Sequence, residues 1–307
     1  MAAERVLITG ASGFIGRALV RDLAEHGYEV VAITRNAAGN RRPFPEGVTA
    51  VEWDGRTAAG WGGQVDGALA VVNLAGDSLA RGRWTRRKKQ RILSSRTLAG
   101  AALVEAVQRA RTRPRVVVQA SAVGFYGSPG ESEVDESSPR GAGFLADVVE
   151  RWEGSTRDVE ALGVRRVVVR SGLVLGRSGG VWPSLTAPFR FFAGGPIGNG
   201  RRWFSWITLE DEVRAIRFLI EREGLAGAFD LTAPRPLRQG ELCALIGRAL
   251  RRPCWIPVPA VLLKLLFGEK AGQTLLVSQR VVPRRLVAAG FEFRHPDAAA
   301  AVAAVLK

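Results

Sequence analysis

Residues 5–36, RVLITGASGFIGRALVRDLAEHGYEVVAITRN, leave this chain few ways to fold. Val6 to Ile8 form a short apolar run, the pattern of a strand buried on both faces. Leu19, Leu23 and Ala24 recur at helical spacing, Gly27 closes the helix, and Val30 to Ile33 make a second strand. Between the first strand and the helix stand Gly10, Gly13 and Gly16. Gly10 permits a tight turn, Gly13 lets a pyrophosphate approach the backbone, and Gly16 lets the helix lie close to the sheet. Free N–H groups at the helix start then face phosphate oxygens.

The alternation continues. VTAVEW reads as a weak strand and ALAVVNLAG as a strong one. A long helix follows over Arg86–Arg111, then a strand over Arg115–Ser121, a helical segment over Gly143–Leu162, and a strand in VRRVVVRSG. Strands alternating with helices predict a Rossmann-type, doubly wound parallel α/β sheet. Thr208 and Asp211 open another helix with a capping-box-like pair in which Asp replaces Glu or Gln.

Residues 176–206 break the rhythm with glycines, prolines and aromatics. A loop this long is functional or partly helical, and it is expected to contribute to a substrate pocket. Its aromatics, among them Trp182, Phe189, Phe191, Trp203 and Trp206, suit either stacking on a substrate ring or a small core of their own. A boundary is placed near Pro253. Residues 1–252 then form the cofactor-binding domain and 253–307 a small α-rich C-terminal one.

Composition narrows the classes. No apolar run in the 307 residues reaches the ~18 of a membrane span. The first ten residues lack the apolar core of a signal peptide, so a cytoplasmic, membrane-free protein is expected. Cys243 and Cys254 are too far apart for a CxxC pair, and only His26 and His295 accompany them, so no metal site is expected. The net charge is +15, with five lysines against 39 arginines. That bias reads as genome composition, although a basic surface attracts phosphates. RGRWTRRKKQR, from Arg81 to Arg91, is a solvated helix start or a phosphate- or nucleic-acid-binding run. No basic-aromatic module or helix-turn-helix supports a nucleic-acid partner. The expected partner is a small molecule, with a nucleotide-linked substrate and a homodimer left open.

The spacing GxxGxxG, with NLAG at Asn73–Gly76 and ASAVGFYG ending the fifth strand, resembles the short-chain dehydrogenase/reductase superfamily in its extended, epimerase-like branch. NLAGDSLARGRWTRRKK, SAVGFYG, VVVRSGLVLG, GGPIGNGRRWFSWITLED and VPRRLVAAGFEFRHPD are similar, more closely, to a divergent NAD-dependent epimerase/dehydratase family with its own small C-terminal domain. The resemblance implies an oxidoreductase with a nicotinamide cofactor and leaves the substrate open. It places Gly10, Ser12, Gly13, Phe14, Ile15, Gly16, Leu74, Ala75, Gly76, Arg96 and Val174 near that cofactor. An acid ending the second strand would bind the ribose 2′-hydroxyl of NAD. Thr34 and Arg35 stand there instead, a hydroxyl and a guanidinium suited to a 2′-phosphate, which favours NADP over NAD.

Members of the superfamily that transfer hydride generally use a Tyr-x-x-x-Lys pair on the helix after the fifth strand. Here Phe144 and Val148 take those places. The chain has two tyrosines, and Gly130 and Ala32 stand four residues after Tyr126 and Tyr28, so the pair exists nowhere in it. Ser121 matches the superfamily serine. Ser121 and Tyr126 are therefore the candidate catalytic residues, with a packing aromatic as the alternative for Tyr126. Glu131, Glu133, Asp135 and Glu136 offer either a base or a solvated acidic loop. The rival to an oxidoreductase is an NADP-binding sensor or scaffold without turnover.

Overall fold

Seven parallel strands make the sheet that organises the molecule in the computed structural model, which describes residues 3–37, 43–80 and 82–306. The strands are β1 (Arg5–Thr9), β2 (Glu29–Thr34), β3 (Thr49–Glu52), β4 (Ala70–Asn73), β5 (Val116–Ala122), β6 (Arg165–Ser171) and β7 (Gly227–Leu231). Their order across the sheet is β3-β2-β1-β4-β5-β6-β7. The chain reverses direction of travel between β1 and β4, which makes that gap the place where ligands bind in such sheets.

Both faces are covered. On one, α1 (Phe14–Glu25) and α5 (Leu209–Glu221) pack on Val6, Ile8, Val72, Val118, Val169 and Phe229. On the other, α2 (Arg86–Arg109) packs on Leu7, Val71 and Val117, beside Trp61. Burial on both sides is why these strands read as unbroken apolar runs rather than alternating ones. The helical segment expected over 143–162 is shorter than its sequence: α3 (Phe144–Gly154) stops early, and a 3-10 turn follows at Arg157–Val159. Ser155 turns its hydroxyl back to the Trp152 carbonyl and lies against Gly100 of α2, where a Cβ would collide with it.

The irregular stretch 176–206 contains α4 (Trp182–Arg190). Trp182, Phe189 and Trp206 are buried in a third core with Leu242 and Ile246 of α6 (Gln239–Leu250). Most of the aromatics thus pack on one another, while Phe191 and Phe192 remain exposed. Thr208 caps α5 by accepting the Asp211 N–H, but the Asp211 carboxylate accepts the amides of Arg294 and His295 instead of closing the box. Beyond Pro253 come α7 (Ala260–Phe267), α8 (Glu269–Thr274), α9 (Arg284–Ala288) and α10 (Ala298–Leu306). Ala301 and Val302 of α10 join the core of α4 and α6, so the C-terminal segment shares its core with the first domain. Cys243 and Cys254, eleven positions apart, meet with their sulfurs 2.9 Å from each other. Among the described residues no helix is long and apolar enough to cross a membrane.

Candidate cofactor and active site

Gly10 and Gly16 make a turn whose close approaches leave no room for a side chain. Gly10 sits at φ +69°, and a Cβ there would lie 2.8 Å from the Leu74 carbonyl, so β1 and β4 can approach only through a glycine. At Gly16 a Cβ would lie 2.4 Å from the Gly10 oxygen, which fixes how closely α1 enters the turn. No side chain caps α1, and no acid stands in its first turn. Its leading N–H groups are thus left for an external acceptor. Ile15 packs on the core below. Phe14 is wrapped by Gly176, Gly179 and Gly180, where added Cβ atoms would lie 2.7 to 2.8 Å from its ring. Val174, in the short strand Leu173–Leu175, leads into that wrapping loop.

At the end of β2, Thr34 is buried and donates its hydroxyl to Ser12 Oγ at 2.9 Å, joining the strand end to the glycine turn. Arg35 beside it is exposed. Across the gap, Ala75 and Gly76 follow β4, and Arg96 of α2 lies under Gly76. The Arg96 guanidinium stacks on Trp152 at 4.7 Å and donates to the carbonyls of Asp77 and Ile92. Burial lowers its pKa to about 10, and among the described residues no carboxylate pairs with it directly. A buried cation in this state favours an anion nearby.

Two polar rows cross the sheet on its α2 face near the carboxyl edge. In the first, Thr9 donates to Asn73 and Asn73 to Gln119, all fully buried. In the second, Ser121, Arg170 and Asp230 are register neighbours on β5, β6 and β7. Glu153 of α3 accepts from the Ser121 hydroxyl and, through both its oxygens, from Arg170. Arg170 also donates to the Tyr126 hydroxyl at 3.0 Å, and Tyr126 donates to Asp230 at 2.8 Å. Burial opposes the charge of Arg170, but the Glu153 carboxylate more than offsets it and raises the guanidinium pKa. Burial, then the Asp230 carboxylate, holds the Tyr126 phenol above its usual range. Burial and the neighbouring Glu136 push Asp230 well above the carboxylate range.

Phe144 begins α3, its ring edge-on to Trp84 and under the Lys89 ammonium at 4.6 Å. Val148 is buried. The residues that face Gly124, in the 3-10 turn Val123–Tyr126 that follows β5, are Leu145 and Val149. Either reading of the register puts apolar side chains where an acid-base pair would stand.

The basic run is only half solvated. Thr85 caps α2, while Lys88 is buried against Asp77 at 2.8 Å and Arg91 reaches the same carboxylate. Lys89 crosses to Glu269 of α8. Arg81 lies outside the described residues. The acidic loop is spoken for as well: Glu131 binds Arg238, Glu133 binds Arg280 and Arg284, Asp135 binds Arg284, and Glu136 accepts the amides of Asp230 and Arg285. It fastens the segments around 238 and 280–285 to the sheet edge. Sequence reasoning passed over Glu153, Arg170, Asp230 and Asp77. The available signal was a charge inside an apolar strand, Arg170 in VVVRS and Asp230 in AFDLT.

Comparison with known proteins finds relatives along nearly the whole chain. Residues 6–229 match the NAD dependent epimerase/dehydratase family, and residues 258–305 match a domain of unknown function, DUF1731. The chain is 38% identical over 307 residues to an Arabidopsis thaliana protein, "Epimerase family protein SDR39U1 homolog, chloroplastic", covering 98% of this chain and 86% of that one. It is 36% identical over 293 residues to the Bacillus subtilis epimerase family protein YfhF, covering 95% and 94%. Among solved structures, the human epimerase family protein SDR39U1 (isoform 2) with NADPH superposes with a TM-score of 0.87 at 34% identity, over 98% of both chains. The Thermus thermophilus UDP-glucose 4-epimerase complex with NAD shares the fold at a TM-score of 0.78 and 21% identity, over 98% of this chain and 97% of that one.

Proposed function

The chain belongs to the NAD dependent epimerase/dehydratase family, and from that premise we propose that it is an NADPH-dependent oxidoreductase acting on a small molecule without a Tyr-x-x-x-Lys pair. The observation that carries the reading is the uncapped start of α1 beside a second strand that ends in Thr34 and Arg35 rather than an acid. The human relative bound to NADPH supports the same cofactor. Gly13 and the N–H groups of α1 would hold the pyrophosphate, Ser12 and Arg35 the 2′-phosphate, and Leu74, Ala75 and Gly76 the adenosine side. Thr34 acts through Ser12, since its own hydroxyl is already given away. Bound there, NADPH supplies a hydride.

Ser121 is the hydroxyl that meets the substrate. Its hydroxyl is bonded to Glu153, so its lone pairs would receive a hydrogen bond from a substrate hydroxyl, and in the reducing direction the same line, from Glu153 through Ser121, would return a proton to the carbonyl oxygen as it takes up hydride. Tyr126 is a positioning residue: its hydroxyl holds Arg170, and Arg170 holds Glu153. A second reading, an NADP-binding sensor or scaffold, draws on the apolar Phe144 and Val148.

Calorimetric titration tests the cofactor. NADPH is expected to bind at least about tenfold more tightly than NADH, and Arg35→Asp to reverse the order, because a charge-assisted phosphate contact is worth roughly 1.5–3 kcal/mol. Equal affinities for the wild type would overturn the choice. NADPH oxidation over a panel of carbonyl and sugar-nucleotide substrates separates enzyme from sensor. On any substrate turned over, Ser121→Ala is expected to lower kcat by about 10²-fold or more. Tyr126→Phe should leave NADPH affinity unchanged, lower kcat by at least about tenfold through the loosened Glu153, and cost about 1.5–3 kcal/mol of stability. Full turnover in both variants would remove these residues from the site. Tight NADPH binding with no turnover across the panel would put the sensor reading first.

A further inference from the structure

The only two cysteines of the chain, Cys243 and Cys254, are brought together by the way α6 ends. Cys243 stands on α6, and Gly247 follows one turn later on the same face. The helix stops at Leu250, and Arg251 turns left-handed at φ 54°, ψ 45°. The Arg252 N–H then donates to the Gly247 carbonyl, the reversed bond that closes a helix end. Pro253 cannot continue the helix, and the chain doubles back along it. A Cβ at Gly247 would lie 2.8 Å from the Arg252 oxygen and 3.2 Å from Cys254 Cβ, so the glycine is what lets the returning chain come close. Cys254 ends over Cys243, and its thiol donates to the Cys243 sulfur at 2.9 Å. Two bonded sulfurs stand about 2 Å apart, so a small shift joins them.

The two thiols differ in access. Cys243 is 4% exposed, in the core with Trp182, Phe189 and Ile246. Burial, then the Cys254 thiol, holds its pKa above the usual range, although the Gly195 N–H donates to it. Cys254 is only partly buried. Arg248, Arg251 and Arg252, all exposed, flank it, and among the described residues none of the three is ion-paired. Between Glu241 and Glu269 the chain has no acid at all. An anionic reagent is drawn to such a surface and meets Cys254 first.

We propose that Cys243 and Cys254 are an oxidation site for an external disulfide of the glutathione class, which enters at Cys254 and leaves a Cys243–Cys254 disulfide behind. The Cys254 thiolate attacks one sulfur of glutathione disulfide, forming a mixed disulfide and expelling one glutathione, which takes up a proton. Cys243 gives its proton to solvent and attacks the Cys254 sulfur, and the second glutathione leaves and is protonated in turn. The two cysteines lose two electrons, and one glutathione disulfide becomes two glutathiones. The new bond pins the entry of the C-terminal segment to α6. The stretch 194–198 is held with it, because Trp255 and Ile256 donate their N–H groups to the Gly194 carbonyl and Val258 donates to that of Pro196. Nothing in this assignment depends on the NADPH reading.

The test is to incubate the full chain in glutathione buffers of increasing disulfide fraction, quench with acid, alkylate, and map the peptides by mass. In the wild type both cysteines should become protected together, as one cross-linked peptide pair without retained glutathione. Cys243→Ala should keep glutathione on Cys254, because no second thiol expels it. Cys254→Ala should lose the Cys243 thiol at least about tenfold more slowly than the wild type does. Oxidation should raise the thermal midpoint of the wild type by about 2 °C or more, restored by dithiothreitol, and leave that of Cys254→Ala unmoved. Wild type whose cysteines stay open to alkylation in excess glutathione disulfide, or hold glutathione without joining, overturns the site. Cys243 reacting as fast without Cys254 overturns the order of attack. An unmoved midpoint on oxidation overturns the pinning. The wild-type peptide map decides the site even if an alanine variant fails to fold.

Discussion

Replacing Arg170 with methionine is expected to destabilise the protein by about 3–5 kcal/mol, because it leaves buried acceptors without their cation. Arg170 is the hinge of the second polar row. Its side chain is 7% exposed and its Glu153 partner 14%, so solvent cannot take over the lost contacts. The change removes the paired hydrogen bonds to Glu153 and the bond to Tyr126, and it strips the positive charge that faces the Asp230 side of the row. Methionine fills most of the volume, which limits the cavity term. Adding Glu153→Gln to Arg170→Met should recover part of the loss, since the uncompensated carboxylate is then gone. Urea unfolding of wild type, single and double variants at neutral pH measures this. A loss below about 1 kcal/mol for Arg170→Met would mean that the row is hydrated and does not hold the site.

Glu212 gives the protein a pH dependence of a recognisable sign. It is fully buried on α5, with Ser171 donating to one carboxyl oxygen and, among the described residues, no partner for the other. Burial raises its pKa from 4.5 to about 8. The folded-state pKa is above the unfolded one, so the contribution is fully present below about pH 4.5 and is lost as pH rises through about 8. Across that window the folded state is penalised by up to about 1.4 kcal/mol per pH unit, a few kcal/mol in all. Glu212→Gln keeps the shape and cannot ionise. Its stability relative to wild type should therefore rise by a few kcal/mol between pH 5 and pH 9, whatever the other groups do. Unfolding midpoints for both proteins across that range decide the matter. Parallel profiles would show that Glu212 ionises in the folded state as easily as in water.

The two cases differ in how far they could be read from the chain. The sheet and the glycine turn were legible because their determinants are local. Gly10, Gly13 and Gly16 act through φ angles and close approaches within a few residues, and the two-sided burial of β1, β4 and β5 writes itself as apolar runs. The absence of a tyrosine-lysine pair was legible by counting, and α3 keeps apolar residues at those positions in either register. Element ends were less legible. Where α3 stops at Gly154, the next residue, Ser155, lies against Gly100, more than fifty positions away.

The sequence by itself therefore determined the sheet, the glycine turn between β1 and α1 and the absence of a tyrosine-lysine pair, since short-range sterics and periodicity carry that information. Only the tertiary structure decided what the polar residues do. Tyr126 and Asp230 are 104 positions apart and Arg170 and Tyr126 44, yet strand register sets them in hydrogen-bonding contact on one row. The acids of 131–136 are consumed by partners from the later part of the chain, and within the basic run Lys89 is held by Glu269 while Lys88 and Arg91 share Asp77. The two histidines, one near each end of the sequence, meet in one cavity. Charge pairing acts over a few ångströms in space and leaves no spacing in the sequence, so the fold alone shows which ionisable groups are spent and which remain for a ligand.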